Sequence, residues 1–348
     1  MSDLAPSGDT TVRIEDLTLD IPVEDDVNHI LRGIDLTFGS GEIQGLAGES
    51  GSGKTMTGLA MIGLEPPNAR LSGQIWLNDL DLAQVKGRAL NAIRGRRVGT
   101  VFQDPSTSLH PQLTVGSQLT DHVRHHLKVS KAEARQRAVA ALDRVGVPHP
   151  SGALARYPHE FSGGQRQRVA IALACSPEVL IADEPTTALD VTVQAGVLRL
   201  IRSLVDDLGL AVLFITHDLG VMSAVADRVA VMRQGQIVEH GPRAEILTRP
   251  QHPYTQALLA ALPGARGGLN SKADLARLSE TTDPDRLNGT TAPATTAPSR
   301  LSEPAASAPT DLDQLNGTTT PTMTTPTQQS EPADPSPTGL DQTGGGDV

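Results

Sequence analysis

The stretch Gly48-Glu49-Ser50-Gly51-Ser52-Gly53-Lys54-Thr55 reads G-x-x-x-x-G-K-T, the pattern of a phosphate-cradling P-loop. Its glycines let the backbone curl so that successive N–H groups point at phosphate oxygens. A helix starting directly afterwards offers its positive end to the same anion. In this reading Lys54 reaches the β- and γ-phosphates of a nucleotide and the Thr55 hydroxyl sits on Mg²⁺. A second constellation lies at Val179-Leu-Ile-Ala-Asp183-Glu184, an apolar run ending in two carboxylates. Asp183 is expected to hold Mg²⁺ through its water shell, and Glu184 to orient or deprotonate an attacking water.

These groups need elements to carry them. An apolar run, Ile43–Ala47, enters the P-loop, and Met56–Ile62 reads as the helix after it. Thr11–Asp20 and Ile34–Phe38 alternate as strands do, with Pro22–Asp26 as an acidic turn between them. Further strands are expected at Gln74–Leu77, Val98–Phe102, Val179–Ala182, Ala211–Thr216 and Arg228–Met232. Strands alternating with helical patterns imply a mainly parallel sheet. From Leu113 to about Val145 the period changes to helical, with apolar positions at Ala134, Ala138, Ala141, Leu142 and Val145. Gly146 and Pro148 stop that helix.

Aromatics make up 2% of the 348 residues, so the core must be aliphatic. Cys175 is the only cysteine, which excludes a disulfide framework and suits a reducing compartment. It is expected to be a packed side chain. The polar leader does not read as a signal sequence, and no apolar run approaches the ~20 residues that span a bilayer. Net charge is −11, which argues against a nucleic-acid binder. Asp283–Val348 carries nine acidic and two basic residues, seven of those excess charges. Beyond Pro263 the chain is rich in Thr, Pro, Ser and Ala, and Asp285–Pro293 recurs nearly unchanged as Asp313–Pro321. Such a composition buries too little apolar surface to offset its ordering entropy, so a disordered tail is expected.

Phe161-Ser162-Gly163-Gly164-Gln165 is the most specific element, and through it the chain resembles the ATPase subunits of ABC transporters. In that family Ser-Gly-Gly-Gln opens a helix whose N-terminus caps the γ-phosphate of ATP held by the opposite subunit. The resemblance assigns Gln103 to a loop that contacts Mg²⁺ and couples to the membrane partner. It assigns Asp190 to the loop after the carboxylates, and His217 to a γ-phosphate contact. Gly48–Gly53, Val101–Ser106, Tyr157–Arg168, Asp183–Val191, Ile215–Gly220 and His252-Pro-Tyr-Thr255 are together typical of the oligopeptide/dipeptide/nickel importer class. The match covers roughly residues 11–265.

The resemblance implies an α/β P-loop NTPase: a RecA-like, mainly parallel sheet with an antiparallel β subdomain, a helical insert and a disordered C-terminal tail. Its segments are a leader (1–10), the ATPase domain (11–235, insert at about 108–160), an extension of the peptide-importer type (236–265) and the tail (266–348). It implies ATP and Mg²⁺ as cofactors. Catalysis falls to Glu184, His217 and Gln103, and metal binding to Thr55, Gln103 and Asp183. Nucleotide contacts fall to the P-loop, Gln103, Asp183, Asp190 and Ser162–Gln165. The implied partners are a second, non-identical ATPase subunit, two membrane permeases and, indirectly, an extracytoplasmic solute-binding protein, with no nucleic acid. The implied location is the cytoplasmic face of the membrane, peripherally. An ABC ATPase acting on nucleic acid or ribosomes is the alternative. Those relatives carry a long coiled-coil insertion or two cassettes per chain, and neither is present here.

Three departures stand out. Ile21 falls where relatives place an aromatic to stack on adenine, and His29 is a candidate substitute. No cysteine follows Cys175, so the cysteine-rich iron–sulfur segment of many relatives is not expected. Arg233-Gln234 stands where relatives often have an aromatic-containing turn. His122, His125 and His126 share one helix face at i, i+3, i+4 spacing. With no carboxylate or cysteine to complete a ligand set they are expected to be solvated rather than metal-binding.

Overall fold

The computed structural model describes residues 10–24, 26–104, 108–173, 177–187 and 189–261. Cys175, the leader before residue 10, the tail and a second unit, Thr290–Val348, lie outside the described residues.

In chain order, β1 (Thr10–Val23) and β2 (Asp26–Gly39) make a long antiparallel hairpin, and β3 (Ile43–Ala47) runs into α1 (Lys54–Met61). Then come β4 (Arg70–Leu77), β5 (Leu80–Asp81), α2 (Gly87–Ile93) and β6 (Val98–Val101). The insert supplies α3 (Val115–Leu127), α4 (Lys131–Arg144) and α5 (Pro150–Ala153) before α6 (Gly163–Leu173) returns to the sheet. The remainder is β7 (Val179–Asp183), α7 (Val191–Leu208), β8 (Ala211–Thr216), α8 (Leu219–Val225), β9 (Arg228–Arg233), β10 (Gln236–Pro242), α9 (Arg243–Thr248) and α10 (Pro253–Ala260).

Two sheets result. One is antiparallel, in the order β2-β1-β4-β5; the other is β10-β9-β3-β8-β7-β6, parallel throughout except for β10 at its edge. This is the α/β architecture expected. Strands β3, β7 and β8 bury every residue, because helices or a second sheet cover both faces. Period 2 divides them between two cores. Val179, Ile181, Leu213 and Ile215 pack with α1 and the antiparallel sheet, whereas Leu180, Ala182, Val212 and Phe214 pack under α6, α7 and the insert.

In β1 the phase slips between Ile14 and Leu17, where Asp16 has φ 45° and the register with both neighbours shifts. This bulge keeps Val12, Ile14, Leu17 and Leu19 all facing the core. The insert helices start where capping chemistry puts them. Thr114 Oγ1 accepts from Ser117 N (3.2 Å) and Ser130 Oγ from Glu133 N (3.2 Å). Ala134, Ala138 and Leu142 form the fully buried stripe of α4, at the spacing expected.

The structure corrects two readings. The first half of β2, Asp26–Ile30, is strand although its residues are exposed or only partly buried. Backbone pairing to β1 (Ile21 with Asn28, Val23 with Asp26) decides its form, so apolar alternation carries no signal there. The histidines are not all solvated. His122 and His126 lie with ring centroids 4.5 Å apart, and burial lowers the pKa of His122. Burial holds His126 down to about 4, and the nearby charges of His122, His125 and Arg96 add to the effect.

Candidate active site

The P-loop leaves the fully buried β3 and closes on α1. Gly48 must be glycine, because a Cβ there would lie 2.2 Å from the Met232 carbonyl of β9. Gly53, at φ 104°, turns the chain left-handed just before Lys54 opens the helix. Lys54 is 5% exposed, and its Nζ donates to Glu49 O (2.7 Å) and Gly48 O (2.9 Å). Burial lowers its pKa, while Glu184, Asp183 and Glu49 counter that electrostatically. The ammonium therefore sits on carbonyl oxygens at the foot of a cleft, where phosphate oxygens can replace them.

Beside it, Thr55 Oγ1 donates to Asp183 Oδ1 at 3.2 Å. Asp183 is 8% exposed, and burial raises its pKa against the opposing Thr55 hydrogen bond. Glu184 follows in an αL backbone, φ 45°, unusual for a residue with a side chain. Its carboxylate is gripped from three sides. His217 Nδ1 lies 2.8 Å from Oε1, and Gln103 Nε2 and the Thr187 hydroxyl each donate to Oε2 at 3.0 Å. The cleft that Lys54 and Thr55 border is also bordered by Gln103, Glu184, Thr187 and His217.

Structure thus brings together the P-loop, Asp183, Glu184, Gln103 and His217, which in sequence lie far apart. Ser162, Gly163, Gly164 and Gln165 do not border this cleft, nor does Asp190. Ser162–Gln165 instead form a reciprocal cap at the start of α6, with Gln165 N donating to Ser162 Oγ (3.3 Å) and Ser162 N to Gln165 Oε1 (3.2 Å). Asp190 caps α7 through Val193 N at 3.0 Å. Ile21 and His29 do not border the cleft either, and His29 pairs with Asp20 at 2.7 Å. Its apolar walls are Ile30, Met56 and Leu258. Sequence reasoning missed those three and Thr187, whose only signal was its place in the turn after Glu184.

Residues 31–187 match the family model described as ABC transporter, and residues 238–289 match that of the oligopeptide/dipeptide transporter C-terminal region. A probable peptide ABC transporter ATP-binding protein, y4tR, of Sinorhizobium fredii (strain NBRC 101917 / NGR234) is 45% identical over 271 residues, 77% of this chain and 81% of that protein. The chain belongs to the ABC transporter ATPases. This ABC ATPase is also 46% identical over 256 residues to the oligopeptide transport ATP-binding protein OppD of Bacillus subtilis (strain 168), covering 72% of each. Among solved structures it is similar to the dimeric ATP-binding cassette MJ0796 in a post-hydrolysis state bound to ADP and Pi. That match has a TM-score of 0.59 and 26% identity, over 67% of this chain and 98% of that one. The cbiO1 protein of Clostridium perfringens, part of the cbiONQ ABC transporter complex, matches at TM-score 0.59 and 28% identity, over 70% and 92%.

Proposed function

We propose that this ABC ATPase energises the import of peptides or related small solutes across the cytoplasmic membrane. The observation that carries the chemistry is the Glu184 carboxylate, held by His217, Gln103 and Thr187 beside the cleft of Lys54 and Thr55. Support for the cargo class comes from the C-terminal family match and the relatives' names. The nucleic-acid alternative finds no support among them. The ATPase domain is taken as 11–235 with its insert at about 108–160, and the importer-type extension as 236–265.

The residues present fit ATP with Mg²⁺. Thr55 Oγ1 and Asp183 Oδ1 are hard oxygen donors 3.2 Å apart, of the kind Mg²⁺ takes, and Gln103 adds an amide oxygen nearby. When bound, the cation neutralises charge on the phosphates. Lys54 does the same from the protein side, turning N–H donors from the Gly48 and Glu49 carbonyls toward the phosphates. Glu184 orients the attacking water or accepts its proton. His217, Gln103 and Thr187 fix the direction of that carboxylate, so its reorganisation is spent on folding rather than on catalysis.

Because Ser162–Gln165 lie away from the Lys54 cleft, a second ATPase chain is needed to bring that helix N-terminus to the γ-phosphate. We take the partner to be a similar, non-identical subunit, with Asp190 at the joint. Two permeases dock between Gln103 and the insert, and a solute-binding protein acts through them. Among the described residues no helix is long and apolar enough to cross a membrane, which suits a peripheral subunit at the cytoplasmic face. Glu184→Gln is expected to abolish turnover while ATP stays bound and the dimer stays closed. Undiminished steady-state ATPase activity in that variant overturns the assignment.

A further inference from the structure

The His252-Pro253-Tyr254-Thr255 segment plays no part in the chemistry above, yet it touches the P-loop. His252 caps α10, its Nδ1 accepting from Tyr254 N at 3.1 Å, and Pro253 fills the first helical position. The turn before it is fastened to β10, where the Glu239 carboxylate accepts from Gln251 N (2.7 Å) and His252 N (3.2 Å). From this anchored helix Tyr254, 8% exposed, presents its hydroxyl to the P-loop, and Glu49 N donates to it at 3.2 Å. The Arg233 guanidinium lies 5.0 Å from the centroid of the Tyr254 ring and holds its face. One turn further along α10, Leu258 forms part of the wall of the same cleft.

We infer that Tyr254 is a positioning residue of the nucleotide site and that the C-terminal extension works as a strap on the P-loop. This rests on reading the cleft as the ATP site. Glu49 is held at both ends of its backbone, its carbonyl by Lys54 and its amide by Tyr254. Once ATP arrives Lys54 must share its three N–H donors between the loop and the phosphates, so its hold on the loop weakens. The Tyr254 contact does not use the Lys54 ammonium, so it stands outside that exchange. The β9–β10 turn braces the loop's other end, with Gly235 N donating to Ser52 O at 3.0 Å. Sites held in their bound shape before the ligand arrives bind more tightly because less ordering remains to be done.

The test is Tyr254→Phe in the full chain, which removes the hydroxyl and keeps the ring on Arg233. ATP affinity by calorimetry is expected to weaken about three- to tenfold, the range for one neutral hydrogen bond. The steady-state KM should rise while kcat holds, and hydrogen exchange at the Glu49 amide should quicken. The nucleotide-free unfolding midpoint should fall by no more than the loss of one hydrogen bond accounts for. Unchanged ATP affinity and unchanged Glu49 exchange overturn the inference. So does an early-unfolding variant with wild-type affinity, which makes Tyr254 a packing residue only. Lys54→Ala measured alongside separates the two readings: if it retains full ATP affinity, the P-loop reading itself falls. If it loses ATP while Tyr254→Phe does not, only the strap falls.

Discussion

In the role proposed for Glu184, a carboxylate that aims at one water gains from being over-determined. Glu184 has three donors on two oxygens and an αL backbone that the Glu184 N to Ile215 O bond (2.9 Å) helps to fix. Thr187 is the donor of the three that the sequence did not mark. Thr187→Val should leave KM for ATP nearly unchanged and lower kcat about three- to tenfold, the loss of one aiming hydrogen bond. Steady-state kinetics over a range of ATP concentrations check both halves. A larger KM effect would make Thr187 a binding residue instead. At this scale the sequence was legible where a residue type is chemically committed: Lys54, Thr55, Asp183 and Glu184 stand together because phosphate and metal chemistry admits few substitutes. Ile30, Met56 and Leu258 were not, since an aliphatic side chain lining a cleft carries no type signal.

Among the elements, the insert shows how little of a helix's stability is local. In α4 the exposed face carries the Glu133–Arg137 ion pair at 2.8 Å, which contributes little. Of the buried stripe, Ala138 and Leu142 join the core under α6 and α7. Leu142→Ala is therefore expected to cost about 2–5 kcal/mol, read as a lower urea midpoint with an unchanged slope. The P-loop lysine is remote from that change, so ATP affinity of the folded variant should hold. Periodicity found α4 and the central strands because one face or both faces of each are apolar. It missed the outer half of β2, whose strand form comes from backbone pairing alone, and it did not anticipate α2 or β10.

At the scale of the whole molecule, two histidines from distant segments report on assembly of the fold. His240 of β10 lies 3.2 Å from the Gln44 side chain of β3, and burial, with Arg228 nearby, lowers its pKa to about 4. His126 of the insert is held as low, chiefly by burial beside His122. In the unfolded chain both titrate near 6.5. Between pH 6.5 and 4 the unfolded state thus binds more protons, so stability falls as pH drops through that window and levels off below it. The slope is at most about 1.4 kcal/mol per pH unit for His240, and smaller for His126, whose more exposed ring is screened by solvent. Urea unfolding at pH 7 and pH 5 should show the loss, and His240→Gln should flatten it; an equal slope in that variant would contradict the assignment.

What the sequence offered by itself is the residue types on which the proposed chemistry rests: a phosphate-loop pattern, a carboxylate pair and a Ser-Gly-Gly-Gln stretch, each written in adjacent residues. It also marked the central strands, whose two-sided burial makes β7 and β8 almost wholly apolar. Tertiary structure alone decided which groups share a cleft. Gln103, Glu184, Thr187 and His217 meet because β6, β7 and β8 are neighbours in the sheet, and Ser162–Gln165 fall outside because α6 opens elsewhere. It also decided that Tyr254, some two hundred residues from Glu49, lies on the P-loop. Contacts of that separation depend on the path of the whole chain, and no local pattern encodes them.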